Sequence, residues 1–156
     1  IPGLTLAALS VTQVFKEMEF FLPVSGFKAL QLDHIARRYD EVSKEAPLIQ
    51  DRPLKGMLKG FIDLLFEWQG RYYVVDYKSN HLGDSEEDYQ NQYLKESIAD
   101  HRYDLQYQLY TLALHRYLKT RIDDYDYDTH IGGVFYLFLR VSIREDTHYG
   151  TITSTI

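Results

Sequence analysis

The sequence predicts an α/β domain in which a mixed sheet carries helices, and three observations lead there. "LKGFIDLLFEW" (58–68) and "RYYVVDYKS" (71–79) are strand-like runs joined by Gln69-Gly70, the pattern of a tight hairpin. From Glu86 to about Ile122 apolar residues recur at helical spacing, with Leu105, Leu109 and Leu112 beside Tyr110, Leu114 and Tyr117. "IGGVFYLFLRVS" (131–142) is a nearly continuous apolar run, as in a strand covered on both faces. A strand, a hairpin, a helix and a strand in that order make an α/β arrangement. The 156 residues suffice for one domain, residues 1–156, with a core of its own.

The remaining segments fill in around these. "TLAALSVTQVF" (5–15) suits either a helix or extended chain. In "KEMEFFLPVSG" (16–26), Met18, Phe20, Leu22 and Val24 alternate as in a strand, which leaves Glu17 and Glu19 together on the other face. Residues 27–47 are polar and loosely helical, a surface insertion closed by Pro47. "HLGDSEEDYQ" is a polar loop offering Asp84 or Ser85 as a helix cap, and "DDYDYDTH" (123–130) is a charged loop.

The hairpin brings the chemistry together. With Gln69 and Gly70 as the loop, Trp68 faces Arg71 and the register carries Asp63 opposite Asp76. Lys78, two residues on, shares that face. Ile62, Leu64 and Phe66 would meet Tyr73, Val75 and Tyr77 on the other, as a core surface. Like charges directly opposed on a sheet repel, so such a pair needs a shared proton or a cation. Oxygen ligands and an absence of Cys favour Mg²⁺ or Mn²⁺ over zinc. An adjacent lysine could then hold a phosphate or the attacking water. The plainer alternative is a solvent-facing sheet edge with Lys78 in a simple salt bridge.

Composition bounds the rest. Without cysteine there is no disulfide framework, thiolate metal site or cysteine nucleophile, which suits a cytoplasmic protein. No apolar run approaches a membrane span. The net charge of −6 argues against simple coating of nucleic acid and is compatible with carboxylates gathered around a cation. No phosphate-cradling glycine loop marks an ATP site, and no Gly-x-Ser-x-Gly turn marks a hydrolase nucleophile. His81, His101, His115, His130 and His148 lack zinc-site spacing and read as ordinary polar histidines. Lys55, Lys59 and Arg71 could touch phosphates or form an exposed charged face.

An Asp closing "GFID", a second strand with "DYK" and a helix with "QYQLY" resemble the PD-(D/E)XK nuclease superfamily. More narrowly, "MLKGFIDLLFEWQGRYYVVDYKSNHLG" and "ADHRYDLQYQLYTLALHRYLKTRIDDYDYDTHIGGVFYLFLR" are similar to the carboxy-terminal nuclease domains of RecB-type helicase–nucleases. The resemblance covers most of residues 16 to 142. It implies a restriction-endonuclease-like mixed β-sheet flanked by α-helices. It makes Asp63, Asp76 and the Tyr77 carbonyl metal ligands and Lys78 the catalytic lysine. The family's earlier acidic residue falls on Glu17, with Glu19 as the substitute. Gln106 and Tyr110 match the Gln-x-x-x-Tyr helix motif, and could line the DNA path.

The resemblance implies Mg²⁺ (Mn²⁺ possible) and DNA exonuclease or endonuclease activity in double-strand break repair and DNA end processing. Its substrate would be single-stranded DNA from unwound duplex ends. Its partners would be RecC-like and RecD-like subunits and a RecA-like recombinase. Two departures accompany it. Ile62 stands where the motif's proline would be, and no His precedes Glu17, whereas the family carries a metal-binding His on an upstream helix; His34, after the first strand, reads as a surface residue. The expectation is thus a piece of a longer helicase–nuclease chain without its upstream helix. The alternative is a catalytically incomplete module that docks recombinase or partner subunits.

Overall fold

The computed structural model describes residues 1, 3–85, 87–139 and 149–154. Strands β1 (Val14–Lys28), β2 (Pro53–Trp68), β3 (Arg71–Lys78), β4 (Ile131–Leu139) and β5 (Tyr149–Ser154) form one sheet in sequence order. Neighbours are antiparallel except β3 and β4, which run parallel, so the sheet is mixed. Parallel neighbours need a long crossover. Here it carries α3 (Asn91–Asp100), α4 (Tyr103–Lys119) and α5 (Tyr127–His130), while α1 (Ala29–Tyr39) and α2 (Glu41–Glu45) lie between β1 and β2. Residues Arg140–Ser142 of the expected last strand, and His148, lie outside the described residues.

The hairpin forms at the expected turn, with Trp68 paired to Arg71. Gln69 and Gly70 have φ of 52° and 78°, the two positive values of a type I′ turn. The Gly70 N–H donates to Glu67 Oε1 at 2.7 Å, which ties the turn to its own strand.

Two cores lie on opposite faces of the sheet. The larger joins Phe20, Leu22, Ile62, Leu65, Val74 and Tyr136 to Leu94, Ile98, Tyr107 and Leu114 of α3 and α4. The smaller gathers Leu64, Phe66, Tyr73 and Val75, and the amino-terminal Leu4 and Leu9 pack against it. This corrects the single alternation expected for the hairpin. Ile62 belongs to the helix-side core while Leu64 and Phe66 belong to the other, and Tyr77 is 40% exposed.

The reason lies at one spot in β1 and β2. The ladder runs Lys16↔Leu64, then resumes at Met18↔Ile62, skipping Glu17 and Asp63. Glu17 has φ 50°, a left-handed backbone that few non-glycine residues adopt. Across this irregularity both strands reverse which side chains face the helices: Val14 packs on the smaller core, but Met18 and Phe20 join the larger.

Other expectations need adjusting. Residues 27–47 are not a surface insertion, because α1 and α2 bury Ala29, Asp33, Ala36 and Ser43. The helical stretch is split at His101 and Arg102, the latter left-handed at φ 55°. Within α4 the buried stripe is Tyr107, Tyr110, Thr111, Leu114 and Leu118, whereas Leu112 and Tyr117 are exposed. Neither Asp84 nor Ser85 caps a helix, since α3 starts after Gln90.

Candidate functional site

A lysine and an aspartate inside a strand cost free energy unless each meets a partner. Asp76 and Lys78, 3% and 7% exposed, point from β3 toward α4, and Lys78 Nζ lies 2.5 Å from Asp76 Oδ2. Asp76 Oδ2 is buried directly against this ammonium. Burial pushes the Asp76 carboxyl above its usual range, the nearby Asp63 charge pushes the same way, and Lys78 opposes both.

The helix supplies the remainder. Lys78 Nζ donates to Gln106 Oε1 at 2.6 Å, and Gln106 Nε2 donates to the Tyr110 hydroxyl at 2.7 Å. Tyr110 in turn bonds the Asp76 carboxylate. Its hydroxyl is pushed up to about 12, by burial first and then by the Asp76 charge, so it stays protonated. The spacing of Gln106 and Tyr110, one helical turn, is what lets one residue hold Lys78 while the other holds Asp76.

Asp63 is half-buried, and its Oδ2 accepts the Tyr77 backbone N–H at 2.9 Å. It is not directly paired with Asp76, as the register had suggested: the β2–β3 ladder ends at Leu64↔Val75. Asp63 sits instead in the irregularity just beyond, from where its charge reaches both Asp76 and Tyr110. Tyr77 stands between Asp76 and Lys78 with its ring outward. Glu17, exposed, occupies the matching irregular position on β1. Glu19 pairs with Lys59 at 2.5 Å.

The structure thus gathers Asp63, Asp76, Lys78, Gln106 and Tyr110, with Glu17 on the neighbouring strand. Among the described residues, no group of three or more His, Asp or Glu stands close enough to hold a metal ion. The donor set itself suits a hard cation: a buried carboxylate with a second carboxylate near it matches Mg²⁺, which takes one or two carboxylates and keeps several waters. His34 is exposed on α1, and Lys59 and Arg71 are engaged with Glu19 and with the Ile131 carbonyl.

Sequence reasoning missed four residues around Lys78. The Tyr103 ring lies 3.7 Å from Nζ and the Tyr136 ring 5.0 Å. Asn80 and His101 contact Tyr103 from behind. The parallel pairing sets Tyr136 beside Asp76, and burial raises its hydroxyl far above the ordinary range.

Comparison with known proteins points in one direction. The profile of the PD-(D/E)XK nuclease superfamily matches residues 7–150. The RecBCD enzyme subunit RecB of Escherichia coli (strain K12) is 51% identical over 97% of this chain and 13% of its own length. The subunit of the same name from Haemophilus influenzae is 43% identical over 88% of the chain and 11% of its own length. That of Mycobacterium tuberculosis (strain H37Rv) is 37% identical over 88% and 14%. The chain therefore spans about an eighth of the length of these relatives.

Proposed function

Since the chain belongs to the PD-(D/E)XK nuclease superfamily, whose members generally use divalent metal ions, we propose that it is a metal-dependent deoxyribonuclease domain hydrolysing phosphodiester bonds. The observation that carries this reading is the buried Asp76–Lys78 pair with the second carboxylate of Asp63 close by. Asp63, Asp76 and the Tyr77 carbonyl would hold Mg²⁺ or Mn²⁺, and Glu17 would approach from β1. When bound, such an ion lowers the pKa of its water and polarises the phosphoryl oxygen.

The chain's own residues do the rest. Lys78 orients the attacking water and balances the negative charge that builds on the phosphoryl group. Gln106 and Tyr110 keep Lys78 and Asp76 aimed and line the path of the DNA. Tyr110 can donate its proton in hydrogen bonds throughout, because it does not ionise near neutrality.

The relatives' name supports a place in a RecBCD-type complex, with RecC-like and RecD-like subunits, and the proposed compartment is the cytoplasm. There a helicase would unwind duplex ends and feed single strands into the site for repair of double-strand breaks, with a RecA-like recombinase as a further partner. Delivery by other parts of the complex explains how a chain of net charge −6 can act on DNA.

Digestion of end-labelled single-stranded linear DNA with Mg²⁺ or Mn²⁺, beside Lys78→Ala and a chelator control, tests this. Metal-dependent cutting that disappears in Lys78→Ala is the expected result. No cutting by the parent chain would leave the docking role as the working account.

A further inference from the structure

An ammonium that is 7% exposed must recover from the protein what it surrendered in water. Lys78 has three N–H donors, and Gln106 and Asp76 occupy two directions. The third direction is filled by aromatic faces, Tyr103 at 3.7 Å and Tyr136 at 5.0 Å. The nearer ring is itself held by Asn80 and His101. The Tyr103 hydroxyl donates to Asn80 Oδ1 at 3.1 Å. The His101 ring stacks on it at 5.3 Å between centroids and 17° between planes.

His101 is fixed in its turn. Its Nδ1 lies 2.9 Å from the Ser97 carbonyl and its Nε2 lies 3.3 Å from Asn80 Nδ2. A carbonyl can only accept and an amide nitrogen can only donate, so Nδ1–H gives to Ser97 and Nε2 takes from Asn80. Asn80, His101 and Tyr103 thus close a ring of contacts behind the lysine, and Asn80 stands two residues beyond Lys78 on the same chain end.

The backbone is bent to build this. Two residues apart in a continuous helix, His101 and Tyr103 would not face each other. Arg102 between them is left-handed, at φ 55° and ψ 34°, which breaks α3 from α4 and lets the rings stack. Such a conformation costs a non-glycine residue and persists only where its surroundings enforce it. They do: Arg102 donates to Asp33, Asp104 and the Pro47 carbonyl.

We propose that Tyr103 is a positioning residue for the reaction, its ring face fixing the Lys78 ammonium beside Asp76, and Asn80 and His101 holding that ring. This rests on the nuclease reading above. Without the ring, the flexible lysine stem swings among several rotamers and the ammonium is absent from its place for part of the time, so turnover falls while substrate binding stays.

Two measurements on Tyr103→Leu and Tyr103→Phe test it: steady-state cleavage of single-stranded DNA, and the NMR signal of the Lys78 ε-methylene. The leucine variant is expected to lose about tenfold in kcat at unchanged KM, and the phenylalanine variant to stay within about threefold, because it keeps the ring face. The ε-methylene signal, held upfield by the ring in the parent and the phenylalanine variant, should return toward that of free lysine in the leucine variant. Equal loss in both variants, or an unaltered kcat in the leucine variant, overturns the proposal. So does an unshifted signal in the parent. A parent that cuts nothing overturns the nuclease reading instead, and the signal still decides whether the ring holds the lysine.

Discussion

Asp76 concentrates the tension in the site at the scale of single residues. Its burial favours the neutral acid and so does the Asp63 charge, while Lys78 favours the carboxylate. A divalent cation that relieves this should stabilise the fold, so Mg²⁺ or Mn²⁺ raises the thermal midpoint of the parent and not of Asp76→Ala. At a hundredfold excess over the dissociation constant the gain is about 2.7 kcal/mol, read by a thermal scan at several metal concentrations. Lys78→Ala should lower kcat by about a hundredfold or more in gel-based cleavage, as expected for removing a charge aimed at the reacting phosphoryl group. At this scale the sequence already carried the unusual pair, because Asp and Lys two apart in an apolar strand stand out. It could not carry Tyr103, Asn80 and His101: they meet only through the left-handed Arg102 and the chain following β3, and no local spacing marks such a meeting.

Among the elements, the β1–β2 ribbon is closely packed where it meets α4. A Cβ at Gly60 would lie 2.4 Å from the Phe20 ring, which itself packs edge-on against Tyr110 at 5.7 Å. Gly60→Ala should therefore cost about 1–3 kcal/mol in denaturant unfolding, as overpacking does, and should also disturb the site through Tyr110. The hairpin turn offers the opposite change. Gln69 bears a positive φ that asparagine adopts more readily, so Gln69→Asn should raise the thermal midpoint, by about 0.5 kcal/mol or more in stability. The hairpin was legible because loop length and strand pattern agree. The helical insertion at 27–47 was not, because its apolar stripe is short and made of alanines, and two of the five residues it buries, Asp33 and Ser43, are polar.

For the whole molecule, the junction of α1, α2 and α4 is cemented by charge rather than by grease. Asp33 and Asp104, both fully buried, share Arg102, and Ser43 donates to Asp104 at 2.7 Å. Burial alone would raise the Asp33 carboxyl, but bonds from Arg37 and Arg102 outweigh it and hold the carboxyl below the usual carboxylate range. A carboxylate depressed on folding adds stability that is complete above its unfolded pKa and fades as the pH falls through the folded one. The midpoint of thermal unfolding should thus drop below about pH 4. Asp33→Ala should flatten that dependence and cost about 1–3 kcal/mol at neutral pH, because Arg37 and Arg102 both lose a fully buried carboxylate acceptor.

The reversal at Glu17 and Asp63 has a consequence for how such a chain can change over generations. It acts as a phase slip: one extra residue in each of two paired strands exchanges inside for outside along the rest of the ribbon. Removing Glu17 alone would shift the register of β1 against β2 by one residue. Removing Glu17 and Asp63 together would keep the pairing and yet turn Phe20, Leu22 and Ile62 out into water. The length of chain at these two positions is constrained separately from the identity of the side chains they carry.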